Sequence, residues 1–306
     1  MTTPLPELAY ELMSADGPEF QWGRGTDIHV RQFDDGTVES EAGTVPNPRA
    51  DGVRFGRDYF RGRTLSWEGD IYTTRSSPGS NTASLELHEQ FRDAWTPDEV
   101  RLTPNRVMAL RMRRGGRIRR VFGRPGAFSS TSGKSARGWI PYVCTFKCVD
   151  HLYYDDTEYS EHIPMIPTSI GGLQGPLIGP IIASDESEGS GLIQIRGTKP
   201  SWLILRINAP IATPLVDPIV EVVDRWFIKL NTTLFPGQFI VIDPSPWNRY
   251  VRRNDGKNMS GIFTAQSARI SSMQIPPGNN QVLLRGNDTS GTASIDAFWR
   301  DTYTSY

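Results

Sequence analysis

The stretch Trp139–Tyr154, WIPYVCTFKCVDHLYY, decides how the chain divides. Its even positions Ile140, Tyr142, Cys144, Phe146 and Cys148 share one face of an extended chain, while Thr145 and Lys147 fall on the other. That spacing predicts a strand with one face buried. Asp150 then opens a corner, and beyond Tyr154 the composition turns to Pro, Gly and Ser. A first domain is expected over 1–155, a connection over 156–190, and a second domain over 191–306.

On either side of this stretch, 306 residues suffice for two ordinary cores. The 29 glycines and 23 prolines, with turn clusters every ten or so residues, favour many short strands over long helices. Over Thr64–Tyr72, Leu65, Trp67 and Ile71 alternate with Thr64, Ser66, Glu68 and Asp70, the pattern of a second half-buried strand. After the turn residues 76–81, Leu87, Phe91, Ala94 and Trp95 recur at helical spacing from an N-cap at Asn81 or Thr82, and Pro97 closes that helix. In the C-terminal part the runs LIQI, WLILRI, VEVV, WFIKL, QFIVI, FTAQSARI, QVLLRG and ASIDAFW read as strands, with turns at 235–238, 254–257 and 277–280. The fold class is therefore mainly β. An N-terminal sheet or sandwich with one helix and a long hairpin precedes an antiparallel C-terminal β-sandwich.

A net charge of −1 excludes a globally basic nucleic-acid binder, although local patches remain open. The first residues lack a basic segment followed by an apolar one, and no run approaches the roughly 18 apolar residues that span a bilayer. A soluble protein made in the cytoplasm, with no membrane partner, is the expectation. Cys144 and Cys148 are the only cysteines. Four residues of strand separate them by about 13 Å, roughly twice what a disulfide tolerates, so both read as reduced core residues.

The local charge patch lies on the hairpin. Arg106–Met112 and Ile118–Phe122 flank Gly115-Gly116, a pair suited to the positive φ angles of a tight turn. A turn centred there sets Leu110 opposite Val121 and Ala109 opposite Phe122. It also sets Arg111 opposite Arg120, an unfavourable like-charge pair. Arg111, Arg113, Arg114, Arg117, Arg119 and Arg120 crowd the tip, and no acidic residue lies between Glu99 and Asp150. The cluster reads either as a solvated face or as a subunit or partner interface whose arginine forks meet carboxylates. Nucleic acid is a third reading, weakened by the few aromatics near the tip.

Signals for chemistry are decoys. His29, His88, His151 and His162 show no pair at ligand spacing, so neither a metal nor another cofactor is implied. Ser132–Ser135 ends like a phosphate loop, but Phe128 stands where the first glycine belongs and a strand follows. Asp150, Asp155, Asp156 and Glu158 lack the spacing of a calcium loop. Asp243 and Glu221 could form a glycosidase pair only if the fold joined them. No G-x-S-x-G elbow is present. No catalytic residue is assigned, and a non-enzyme is expected.

Three passages in order resemble the distal tail protein (Dit) family of long-tailed, non-contractile phages, particularly those of actinobacteria. They are DGVRFGRDYFRGRTLSWEGDIYT at 51–73, VCTFKCVDHLYYDD at 143–156, and a C-terminal series. That series comprises KPSWLILRI at 199–207, LFPGQFIVID at 234–243, IPPGNNQVLLRG at 275–286 and ASIDAFWRDTY at 293–303. His151 departs from the pattern, standing where a proline is common. The resemblance implies an N-terminal domain that assembles as a homohexamer ring and a galectin-like C-terminal sandwich displayed outside it. It further implies a virion tail-tip hub, assembled in the host cytoplasm, that joins the tail-tube protein to the tail-associated hub protein and leaves a channel for DNA. A receptor-binding protein or host cell-wall glycan is a further implied partner. Trp247, Asn248, Arg249 and Tyr250 combine a stacking ring with polar groups and are the glycan-contact candidates. The alternative function is a lectin-like, carbohydrate-binding protein without a hub role.

Overall fold

The computed structural model describes residues 5–14, 17–49, 51–73, 80–131, 138–165 and 190–306. The chain forms two compact units, Met1–Asp156 with Tyr303–Tyr306, and Thr157–Thr302. The last four residues, grouped with the second domain on sequence grounds, therefore belong to the first unit.

The first unit is one antiparallel sheet built on β1 (Ala9–Ser14), β2 (Gly17–Gly23), β3 (Ile28–Asp34), β4 (Thr64–Tyr72), β5 (Met108–Arg114), β6 (Arg117–Ser130) and β7 (Trp139–Cys148). Their order is β2-β1-β5-β6-β7-β4-β3, with β8 (Tyr153–Asp155) beside β6. The even residues of β7 point inward: Tyr142, Cys144 and Phe146 are all but inaccessible, as the period-2 pattern requires. Burial pushes the Cys144 and Cys148 thiols up, away from reactive thiolate, and both are free.

Aromatic rings fill the sheet's inner face. Trp22 meets Trp67 edge-on at 5.7 Å and Trp95 at 5.4 Å, and Tyr10 stacks on Trp22 at 5.5 Å. Trp95 and Phe91 come from α1 (Ser80–Trp95), whose apolar stripe is core. Pro97 stops that helix and also starts a second, short one, Asp98–Leu102, which the sequence reading did not foresee. A proline fits both positions because it lacks only a donor that a helix start leaves unused. Gly69 permits a close approach: a Cβ there would stand 1.9 Å from the His29 carbonyl oxygen and 2.8 Å from the Tyr142 phenol.

Between β3 and β4 the chain makes an excursion through two short ladders, Ser40–Glu41 with Tyr59–Phe60 and Val45–Pro46 with Val53–Arg54. Its apolar side chains are exposed, Phe55 at 83% and Phe60 at 63%.

The second unit packs two five-stranded antiparallel sheets over one aliphatic core, a β-sandwich. One sheet contains Tyr159–Pro164, Ser294–Trp299, Ile204–Asn208, Phe239–Asp243 and Tyr250–Arg253, in that order. The other runs Ser190–Ile195, Gly278–Asn287, Leu215–Val222 and Trp226–Lys229, with Thr233–Leu234 beside Leu215–Val222. The expected connection thus begins with a strand, because Ile163 is needed in the core beside Ile295. Residues 166–189 lie outside the described ones. FTAQSARI is not a strand: it is flanked by short 3-10 turns at Ser260–Ile262 and Ile270–Ser272, and its backbone meets the sheet at an isolated bridge of Phe263 with Leu230 and through the Ala268 N–H, which donates to the Phe227 carbonyl at 2.9 Å. Nor is 277–280 a separate turn, since the strand already starts at Gly278 and the Asn280 amide donates to the Pro276 and Gly278 carbonyls.

Asp288 organises the loop after that strand. Its carboxylate accepts from the Thr213 hydroxyl at 2.7 Å and from the backbone N–H of Ser290, Thr292 and Ala293 at 2.8, 2.9 and 3.1 Å. Asp288→Ala strands those donors and is expected to cost about 2–3 kcal/mol, checked by urea unfolding.

Candidate functional site

The hairpin forms in the expected register, with Leu110 opposite Val121, Ala109 opposite Phe122 and Arg111 opposite Arg120. Gly115 and Gly116 turn it at φ +59° and +74°, angles open to glycine because it has no Cβ. The tip does not lack carboxylates. Glu7 accepts from the backbone N–H of Gly115 and Gly116 and lies 3.5 Å from the Arg113 guanidinium.

Arg111 is almost wholly buried, at 2% exposure, between Glu11 and Asp156. Its Nε and Nη2 donate to the two oxygens of Asp156, both at 2.8 Å, the forked geometry that suits a guanidinium. Arg120 shares Asp156, and Arg119 pairs with Asp155 at 3.2 Å and lies 3.3 Å from the centre of the Tyr303 ring. The like-charge pair Arg111–Arg120 is thus held by one aspartate that bridges both. Arg114 stacks over Phe33 and Tyr306 at 5.0 and 5.9 Å, and Arg117 is exposed, its carbonyl accepting from the Tyr306 phenol at 2.7 Å. The stretch between Glu99 and Asp150 offers the cluster no acid, and Arg111, Arg113, Arg119 and Arg120 instead find carboxylates elsewhere in the same chain. Glu7, Glu11, Asp155 and Asp156 lie outside residues 99–150, so proximity in sequence could not show them.

Burial alone would raise the Asp156 carboxyl, but the hydrogen bonds from Arg111 and Arg120 outweigh it and hold its pKa below the usual aspartate value. A depressed folded pKa gives stability that is full above the unfolded value of about 3.9 and is lost as pH falls through the folded one. Urea midpoints between pH 5 and 2.5 should therefore fall less steeply in Asp156→Asn than in the parent.

The other decoys resolve individually. Asp150 accepts from the Leu152 N–H and the Tyr154 phenol, and Glu158 pairs with Arg300. Glu221 and Asp243 stand on opposite sheets of the sandwich, with Glu221 bound to Arg285 at 2.9 Å. Of the glycan-contact candidates, Asn248 donates its amide to Asp243 at 3.0 Å, Trp247 is half-buried and Arg249 is exposed. Arg252 lies over the Tyr250 ring at 5.1 Å. Asp243 is buried, which raises its pKa, and it also accepts from the Ser245 N–H. Asn248 is thus tied to the loop's own structure. Residues 132–135 lie outside the described ones.

The sequence reading missed the exposed excursion after β3. Phe55, Tyr59 and Phe60 sit among Gly, Arg and Asp with no period, so nothing in their pattern distinguishes them from core residues.

No protein-family model and no curated protein matches the sequence. Solved structures do match the fold. The Dit (gp 19.1) protein of phage SPP1, described as a paradigm of the hub adsorption apparatus in phages infecting Gram-positive bacteria, superposes with a TM-score of 0.57 at 13% identity. The match covers 96% of this chain and 98% of that one. A chain of the phage P2 baseplate in its activated conformation with calcium gives 0.54 at 13% identity, over 95% and 97% of the two chains. The fold of this chain, along nearly its whole length, is that of the Dit hub and baseplate proteins of phage tails.

Proposed function

We propose that this chain is a structural protein of a phage tail tip. It assembles with copies of itself into a hexameric ring that leaves a channel for DNA and joins the tail-tube protein to the tail-associated, receptor-binding apparatus. The observation that carries this reading is the likeness to hub proteins over both units and almost the full length of each chain. The excursion after β3 supports it: Val45, Phe55, Tyr59 and Phe60 are 61%, 83%, 59% and 63% exposed, apolar side chains that a partner surface would cover. A second copy covers it in this reading, and no catalysis is involved.

The test is a triple serine variant at Phe55, Tyr59 and Phe60. Because these side chains contribute little to the first unit's core, its stability to urea should stay within about 0.5 kcal/mol of the parent, as for ordinary surface changes. Its mass in solution should fall to that of a single chain. A variant that still assembles as the parent does would remove the excursion from the interface.

A further inference from the structure

We propose that a cavity where the two ends of the first unit's sheet meet is a binding site for a carboxylate carried on a small apolar body. The cavity holds about 480 Å³, within the range of small-molecule sites. β3 forms one side of it, and Tyr10 and Gly23 of β1 and β2 form the other. Tyr10, Val30 and Phe33 supply apolar wall, while Arg24, Arg31 and Arg114 supply charge. No carboxylate is among the residues that line it.

The three arginines differ in what they already hold. Arg31 is engaged by Glu68 at 3.1 Å and Asp70 at 2.9 Å. Arg24 and Arg114 form no salt bridge among the described residues, Arg114 acting on Asp35 only through its charge, and they are the ones with donors to give. The Arg114 guanidinium carbon lies over Phe33 and Tyr306, contacts that leave its N–H groups available to a forked oxyanion. His29 also lines the cavity, and its ring is held by stacking on Tyr72 at 4.3 Å.

A bare inorganic anion would satisfy the arginines and leave the half-buried Val30 and Phe33 uncovered. The mixed lining therefore selects a carboxylate on an aromatic ring or short alkyl chain. Two sources have that chemistry, a free small acid and a glutamate or aspartate side chain of a second copy.

Benzoate is the probe and benzamide its neutral counterpart, each titrated into the full chain by saturation-transfer NMR and calorimetry. Benzoate should bind at least tenfold more tightly than benzamide, and Arg24→Gln with Arg114→Gln should weaken benzoate at least tenfold. If the double variant does not fold, Arg24→Gln alone serves, since Arg24 is exposed; it should weaken benzoate at least threefold. Equal binding of the two probes, no binding of benzoate, or benzoate binding unchanged in a folded variant would each overturn the site. Light scattering with saturating benzoate assigns the source, and this step alone rests on the ring reading. Loss of assembly identifies a side chain of the second copy. Unchanged assembly, with benzoate bound, identifies a free acid. Either leaves the carboxylate site standing.

Discussion

Arg111→Ala is expected to lower the stability of the first unit by about 3–5 kcal/mol, the usual penalty for removing one member of a buried ion pair. Arg111 is 2% exposed and holds Glu11 and Asp156 from the middle of the sheet. Without it, Glu11, at 8% exposure, loses the cation that faces it, while Asp156 retains Arg120. The substitution also leaves a void where a long side chain packed. A companion variant separates these causes: Arg111→Met with Glu11→Met replaces the charges by apolar bulk and should recover most of the loss, because such replacements are often neutral. Thermal and urea unfolding measure both. A single variant within about 1 kcal/mol of the parent would show that the clamp carries little of the unit's stability.

Tyr303 and Tyr306, replaced together by alanine, should destabilise the first unit although the whole of Thr157–Thr302 separates them in sequence from its other part. Tyr306 packs edge-on against Tyr153 at 5.8 Å and donates its phenol to the Arg117 carbonyl at 2.7 Å. Tyr303 lies under Arg119, and the Thr304 carbonyl accepts from buried Arg63 at 3.0 Å. Two partly buried aromatics with these contacts are worth about 3 kcal/mol together. Hydrogen exchange should rise in Met108–Ser130 and Tyr153–Asp155 and stay unchanged in Ile204–Asn208 of the second unit. Unchanged exchange in the hairpin would mean the tail only rests on it.

Much of the fold was legible because its strands alternate cleanly. Ile140 to Cys148 and Leu65 to Ile71 report their buried faces directly, and Gly115-Gly116 fixes the hairpin register by backbone geometry. What escaped depends on contacts distant in sequence. The hairpin arginines looked unpaired because Glu7, Glu11, Asp155 and Asp156 approach only when β1 and β8 flank the hairpin strands. The return of Tyr303–Tyr306 to the first unit has no local signature at all. FTAQSARI reads as a strand, yet its backbone meets the sheet at separate points, Phe263 and Ala268, without a continuous ladder, and tertiary context overrides the pattern. The polar candidates at 247–250 looked available because the sequence does not show that Asp243 holds the Asn248 amide.

Light scattering of the purified chain, with negative-stain images of the same sample, decides whether it is a ring-forming hub. The hub reading predicts a particle six times the mass of one chain, with sixfold symmetry and an open centre. A single chain at every concentration, or a closed particle without a central opening, would contradict it.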